Sequence, residues 1–214
     1  MDKEIDYVRD GYAIAAKIYR DQKDGKQAEI PLFQQWLNHP KNTSKILELG
    51  CASGFPIGKS ILESGKSYLG IDLSLEQINL ARIEFPQWEK YFVTAEMLSF
   101  CKNQSSNNYS GVISMFSIRH LPRIYHVELF TNIYRILIDK GVLLVDFPIY
   151  SDEGRDTWFE GLPMYWSSFS RDWMYLTLKE LGFTHIAEYE DIKMFNGKEE
   201  KTLFLLYQKI LPNH

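Results

Sequence analysis

Apolar positions recur along this chain in two rhythms. Ile5, Val8, Tyr12, Ala15, Ala16 and Tyr19 return every three to four residues, which predicts an amphipathic helix over residues 3–20. After the polar break Asp21–Lys26, the stretch Pro31–Leu37 reads as a second helix, with proline tolerated in its first turn. The rhythm then changes. KILELG is a short apolar run ending in glycine, the pattern of a buried strand, and from there strand-like and helix-like stretches alternate. Ser67–Ile71, Tyr91–Thr94, GVISMF and VLLVDF predict further strands. Leu75–Ile83 predicts a helix capped by Ser74, and Val127–Leu137 one that is stopped by Lys140-Gly141.

Such alternation implies an α/β fold, a doubly wound parallel sheet with helices on both faces. The C-terminal part departs from it. After a helix over Asp172–Leu181, the runs Thr184–Phe195 and Thr202–Gln208 flank Asn196-Gly197, a tight-hairpin signal, so the last strand should run antiparallel. One domain over residues 1–214 is expected, with 149–171 inserted before the last helix.

Composition narrows the partners more than the fold. The 214 residues, 45% hydrophobic, suffice for one α/β domain with a full core. A net charge of −4 without long like-charged blocks argues against a broad nucleic-acid footprint, so no nucleic-acid partner is expected. Cys51 and Cys101 give neither a disulfide framework nor a metal-ligand spacing, so no metal is expected. The charged start MDKEIDYVRDGY does not resemble a signal peptide, and no apolar run reaches membrane-spanning length. A soluble cytoplasmic protein is the expectation.

The stretch ILELGCASGFPIGKS, residues 46–60, carries the first chemical signal: a buried strand, a glycine-bearing turn, then a helix. A dinucleotide fingerprint needs G-x-G-x-x-G for backbone approach to a pyrophosphate. Gly50 fits, but Ala52 and Phe55 stand at the other two glycine places. A phosphate-binding loop ending in Gly58-Lys59-Ser60 would need glycine at Ser53, and Pro56 removes an amide from its cradle. What remains is Glu48, Gly50 and Gly54, a turn of small residues with no demand for pyrophosphate. It suits a nucleoside with a compact zwitterionic tail. Asp72, ending the next strand in GIDLS, is placed to accept two ribose hydroxyls, or else merely caps the helix after Ser74. Glu96 in VTAEMLSF is third in order at successive strand ends. It can accept the adenine amine beside Met97, or act only as a helix N-terminal carboxylate.

ILELGCASG, GIDLS, VTAEML, YSGVISMFSIRHLP and GVLLVDF, in this order, resemble the class I S-adenosylmethionine-dependent methyltransferases of the small-molecule, type 11-like group. The resemblance covers Ile46–Phe147 in detail and implies a Rossmann-like seven-stranded sheet with a reversed last strand. It implies S-adenosylmethionine as cofactor, with Glu48, Gly50, Ala52 and Gly54 at its methionine side and Asp72 on its ribose. Leu73, Ala95, Glu96 and Met97 would surround the adenine, and the Met115 backbone would face the amino group. Residues 1–40 resemble the family's leading helical lid, with Tyr19 contacting the cofactor carboxylate and Tyr12 in the core. Two departures stand out. Ala52 replaces the usual middle glycine, acceptable if its φ stays negative, and Ser110-Gly111 stands where the family often has aspartate.

A sulfonium methyl is already electrophilic, so the protein need supply mainly alignment and exclusion of water. His120, just after the fourth strand, is the candidate general base, or it only bonds local backbone. Arg119 is a candidate attractor for an acidic substrate. Trp158, Phe159, Tyr165, Trp166, Phe169 and Trp173 give the insertion an aromatic wall, with Tyr165 and Trp166 the candidate contacts to a small, partly apolar acceptor. Two other classes stay open: an RNA or protein methyltransferase, although an N-P-P-Y-like run is absent, and a non-catalytic cofactor-binding protein.

Overall fold

The computed structural model describes residues 2–39, 41–159, 162–195 and 198–211. The helix α1, Lys3–Asp21, is capped by Asp2, whose carboxylate accepts the Glu4 amide, and buries Ile5, Val8, Ala15 and Ala16 on one face. Pro31 opens α2, Pro31–Leu37, whose Phe33 and Trp36 are fully buried. The alternating part follows: β1 Lys45–Leu49, α3 Ile57–Glu63, β2 Ser67–Asp72, α4 Leu75–Glu84, β3 Phe92–Thr94, α5 Met97–Lys102, β4 Tyr109–Ser114, α6 His126–Ile136 and β5 Leu137–Pro148. The hairpin β6 Glu153–Phe159 and β7 Leu162–Ser167 comes next, then α7 Arg171–Glu180, β8 Phe183–Phe195 and β9 Lys198–Lys209.

Seven strands form one sheet in the order β3-β2-β1-β4-β5-β9-β8, parallel from β3 to β5, while β9 runs antiparallel to both its neighbours. The antiparallel last strand is therefore as expected, and the Asn196-Gly197 turn itself lies outside the described residues. Because strand side chains alternate between faces, Leu47 and Leu49 join one core with α5, α6 and α7. Ile46 joins a second core with α2, α3 and α4. Glu48 shares the parity of Ile46. A carboxylate is thereby set into the second, apolar core beside Tyr68, and only its position at the strand's end lets it reach a cavity.

The chain leaves β1 toward β2 and β3 on one side, then returns to place β4 on the other. This reversal opens a crevice beyond the carboxyl ends of β1 and β4, where open α/β sheets bind ligands. The loops that must shape a site are thus residues 50–56 and 115–122.

Two sequence expectations need correction. The stop predicted at Lys140-Gly141 is not a loop: β5 begins at Leu137 and runs through it, with Lys140 at φ +60° and a register shift between Tyr109 and Gly111 against β4. Residues 149–171 are not merely an insertion but contain the β6–β7 hairpin. It was illegible because Glu153, Arg155 and Asp156 lack the apolar alternation of a half-buried strand.

Ser74 is the N-cap of α4, its Oγ accepting the Gln77 amide at 3.3 Å. Ser74→Ala is expected to cost about 1 kcal/mol. Urea denaturation should show a lower midpoint with an unchanged slope, and an unchanged midpoint would mean that Asp72 alone caps this helix.

Candidate functional site

The turn after β1 is hung on β2. The Gly50 and Cys51 amides both donate to the Ile71 carbonyl, at 2.8 and 2.9 Å. Gly50 has φ +76°, and a Cβ there would meet Ser117 Oγ at 1.8 Å, so glycine is required where the turns after β1 and β4 touch. Ala52 also lies in the left-handed region, at φ +49°, contrary to the negative φ its side chain prefers. The Asp72 carboxylate holds it there: Oδ2 accepts the Ala52 amide at 2.8 Å while Oδ1 accepts the Ser74 amide at 2.9 Å. Asp72 is therefore both a helix-end partner and a brace for the turn. Each of its oxygens keeps a lone pair for a further donor.

A cavity enclosing about 910 Å³ of free space, its open mouth included, lies over these strand ends. Tyr19, Glu48, Gly50, Ala52, Asp72, Leu73, Ala95, Glu96, Met97, Met115 and His120 all line it. Gly54 does not. At φ +77°, its missing Cβ makes room for Phe92, whose ring would stand 2.6 Å from one, so it shapes the turn from behind. The carboxylate of Glu96 caps α5, accepting the Leu98 and Ser99 amides at 2.7 Å each.

Polarity inside the cavity is uneven. Glu48 is 4% exposed, accepts the Tyr68 hydroxyl, and burial pushes its carboxyl up to about 8. Gln27 Oε1, also of the lining, is buried without a donor. Lys23 joins them at the foot of α1, its ammonium 4.6 Å from the Tyr19 ring centroid. One part of the wall thus combines a buried amide oxygen without a donor at Gln27, a buried carboxyl at Glu48 and a cation at Lys23. That is the complement of an amino-acid zwitterion. The remaining lining, Leu73, Ala95 and Met97, is an apolar slot beside the carboxylates of Asp72 and Glu96.

Next to Tyr19, whose ring centroid lies 5.6 Å from that of Tyr12, the lining holds a hydrogen-bonded chain. His120 Nδ1 lies 2.7 Å from the Tyr165 carbonyl, which can only accept, so Nδ1 carries the proton. Nε2 is then an acceptor, and it takes the Tyr12 hydroxyl at 2.9 Å. Burial lowers the His120 imidazole to about 4 and raises the Tyr12 phenol, so both groups are uncharged at neutral pH.

A methyltransferase-domain model matches residues 20–188. The chain belongs to the methyltransferase-domain family. It is of the class I type that uses S-adenosylmethionine. No curated protein matches the sequence. Solved structures share the fold at low identity. A methyltransferase from Haloferax volcanii, in complex with the Trm112 activator, is 17% identical, covers 97% of this chain and 99% of its own, and gives a TM-score of 0.71. The Burkholderia thailandensis 1,6-didemethyltoxoflavin-N1-methyltransferase is 14% identical over 96% of this chain and 88% of its own, at 0.70. A Methanosarcina mazei S-adenosylmethionine-dependent methyltransferase is 17% identical over 85% and 98%, at 0.69.

The three residues expected at the acceptor lie elsewhere. Arg119 points away from the cavity into a buried ion pair, its Nη2 2.5 Å from Asp146 Oδ2 and its Nη1 3.2 Å from Glu200. Its charge is spent there, and Asp146 also fixes the Phe116 amide at 2.5 Å. The Tyr165 hydroxyl donates to Glu153 at 2.8 Å, so only its carbonyl serves the site. Trp166 packs edge-on against Tyr150. Phe169 stacks on Trp173 at 3.6 Å, also outside the cavity lining, while the side chains of Trp158 and Phe159 lie outside the described residues. Conversely, Lys23 and Gln27 escaped notice because a polar break reads as solvated loop. No pattern marks that the loop folds back over Phe55 and Ile57.

Proposed function

We propose that this chain transfers the methyl group of S-adenosylmethionine to a small, partly apolar acceptor. The observation that carries this reading is the make-up of one cavity lining: Lys23, Gln27 and Glu48 for a zwitterion, an apolar slot of Leu73, Ala95 and Met97, and the neutral Tyr12–His120 pair, all under one cover. When bound, the cofactor supplies a sulfonium-activated methyl group. Glu48 and Gln27 take its ammonium and Lys23 its carboxylate, with Tyr19 stacked against that lysine. Asp72 accepts both ribose hydroxyls. Leu73, Ala95 and Met97 enclose the adenine, Glu96 takes its amine, and the turn of Gly50, Ala52 and Met115 leaves room for the tail.

The size of the acceptor follows from the cover. Helix α1 and the β6–β7 hairpin close over the strand ends, joined by Arg155–Glu4 at 2.9 Å and by the Ala15–Met164 contact. Tyr125 ties the start of α1 to the body through Asp2 at 3.1 Å. A macromolecular acceptor would have to displace this cover. The Trm112 complex of the Haloferax neighbour keeps a partner-dependent reading open, and turnover on nucleic acid or protein only after adding an activator would favour it.

Calorimetry with S-adenosylmethionine and S-adenosylhomocysteine tests the core of the reading. The wild type should bind both, and Lys23→Met should weaken each about tenfold, the value of one exposed-side charge-assisted contact. A folded wild type that binds neither would end the proposal.

A further inference from the structure

We infer that Tyr12, rather than His120, is the catalytic residue that meets the acceptor, and that it relays the acceptor's proton to His120 Nε2 in the methylation of a neutral hydroxyl. The inference rests on the proposed function and names the substrate class for the same site.

The geometry leaves little choice of direction. His120 is held by the Tyr165 carbonyl at one nitrogen and covered by the Tyr12 hydroxyl at the other. A base whose lone pair already receives a hydroxyl proton acts on anything beyond only through that hydroxyl. Tyr12 and His120 both line the cavity, and Ile5, Val8, Phe116 and Leu121 supply an apolar surround. Every acidic lining side chain is committed to the cofactor end. Arg9 is neutralised by Asp6 and Asp10, at 2.8 and 2.9 Å. An acceptor bound here has no counter-ion, so it is uncharged.

In the transfer, the acceptor oxygen forms a bond to the methyl carbon as the sulfur–methyl bond breaks, its electron pair remaining on sulfur. The acceptor's O–H proton passes to Tyr12 Oη, and Tyr12's own proton moves to His120 Nε2. One positive charge enters on sulfur and one leaves on the His120 imidazolium, which then loses its proton to solvent. The buried imidazole is a weak base. A methylated oxonium gives up its proton even to such a base, whereas a methylated alkylammonium does not, so the relay serves hydroxyl acceptors and is of no use to alkylamines.

The dyad also spans two bodies. Tyr12 belongs to α1 and His120 to the loop after β4, so the relay exists only while α1 lies over the cavity. Tyr19 on the same helix, and Lys23 just beyond its end, continue along the cavity lining. Covering the cofactor and completing the relay are one event.

Three measurements test this on the full chain. With S-adenosylhomocysteine bound, the nitrogen-15 spectrum of the histidines should show the His120 proton on Nδ1. Its Nε2 resonance should move in Tyr12→Phe, a near-isosteric variant. A proton on Nε2, or an Nε2 resonance indifferent to Tyr12→Phe, overturns the relay. Matched phenols and benzylamines of increasing alkyl length are then offered with S-adenosylmethionine. Phenols should be methylated in preference, and Tyr12→Phe should lower kcat on them on the order of 10²-fold with S-adenosylhomocysteine bound within twofold of wild type. Preference for benzylamines, or phenol turnover in Tyr12→Phe within threefold of wild type, overturns it too; if no panel member reacts, the spectrum alone decides. Failure of the wild type to bind the cofactor would instead remove the proposed function, a result calorimetry reads separately.

Discussion

Asp72→Ala is expected to weaken S-adenosylhomocysteine binding by about 3 kcal/mol, more than a hundredfold, as read by calorimetry. Two charge-assisted hydrogen bonds to ribose hydroxyls disappear, each worth roughly 1.5–3 kcal/mol, and part of the gain is returned by water. A second loss follows from what else this carboxylate holds. Without Oδ2, the Ala52 amide has no partner and nothing opposes relaxation of its left-handed backbone, so the turn under the methionine tail loses its shape. Asp72→Asn separates the two losses poorly. Its amide nitrogen would have to face either the Ala52 or the Ser74 N–H, donor against donor. We therefore expect Asp72→Asn to lose most of what Asp72→Ala loses. Ala52→Gly, in contrast, relieves the positive φ and should bind as wild type. Retention of affinity within threefold by a folded Asp72→Ala would show that the ribose contact is not made by this residue.

The sequence revealed the frame of this site but not its walls, for a physical reason. The strands beside Glu48, Asp72 and Glu96 are short apolar runs, with Glu48 one residue before the end of its strand, Asp72 at the end and Glu96 two residues after, so local pattern places all three. The same holds for α1 and for Ser74, where periodicity and cap chemistry act over a few residues. What failed depended on contacts between distant segments. Tyr12 and His120 are 108 positions apart, and only the folded chain shows the hydroxyl resting on the imidazole. Arg119 reads as a free cation until Asp146, 27 positions on, claims it. Ala52 looks harmless by composition, yet a carboxylate on the neighbouring strand forces it to a positive φ. The length of β5 was hidden because Lys140 interrupts an apolar run, although the strand, flanked by β4 and β9, continues through it.

Glu48 is where stability and binding should oppose each other most strongly. Its carboxyl is raised from the ordinary 4.5 to about 8, chiefly by burial, with the Tyr68 hydroxyl and Lys23 acting in the other direction. Between those two pH values the folded protein keeps a proton that the unfolded chain has released. Rising pH therefore favours unfolding across that window, and the effect levels off above about pH 8. At about 1.4 kcal/mol for each pH unit, ionised Glu48 costs roughly 4 kcal/mol by then. Glu48→Gln cannot ionise and still accepts the Tyr68 hydroxyl, so it should match the wild type near pH 4.5 and exceed it progressively up to pH 8. Urea denaturation of both proteins across this range reads the difference, and parallel stability curves would refute the assignment. The same variant should bind S-adenosylhomocysteine more weakly, since an ammonium beside Glu48 favours the carboxylate that folding alone disfavours. Binding near neutral pH should accordingly release a proton in the wild type and none from this site in Glu48→Gln, a contrast that calorimetry in buffers of different ionisation enthalpy makes visible. On the proposed reading, the cost of ionising Glu48 in the empty protein is what a bound cation would relieve, so this buried carboxylate would serve the ligand rather than the fold.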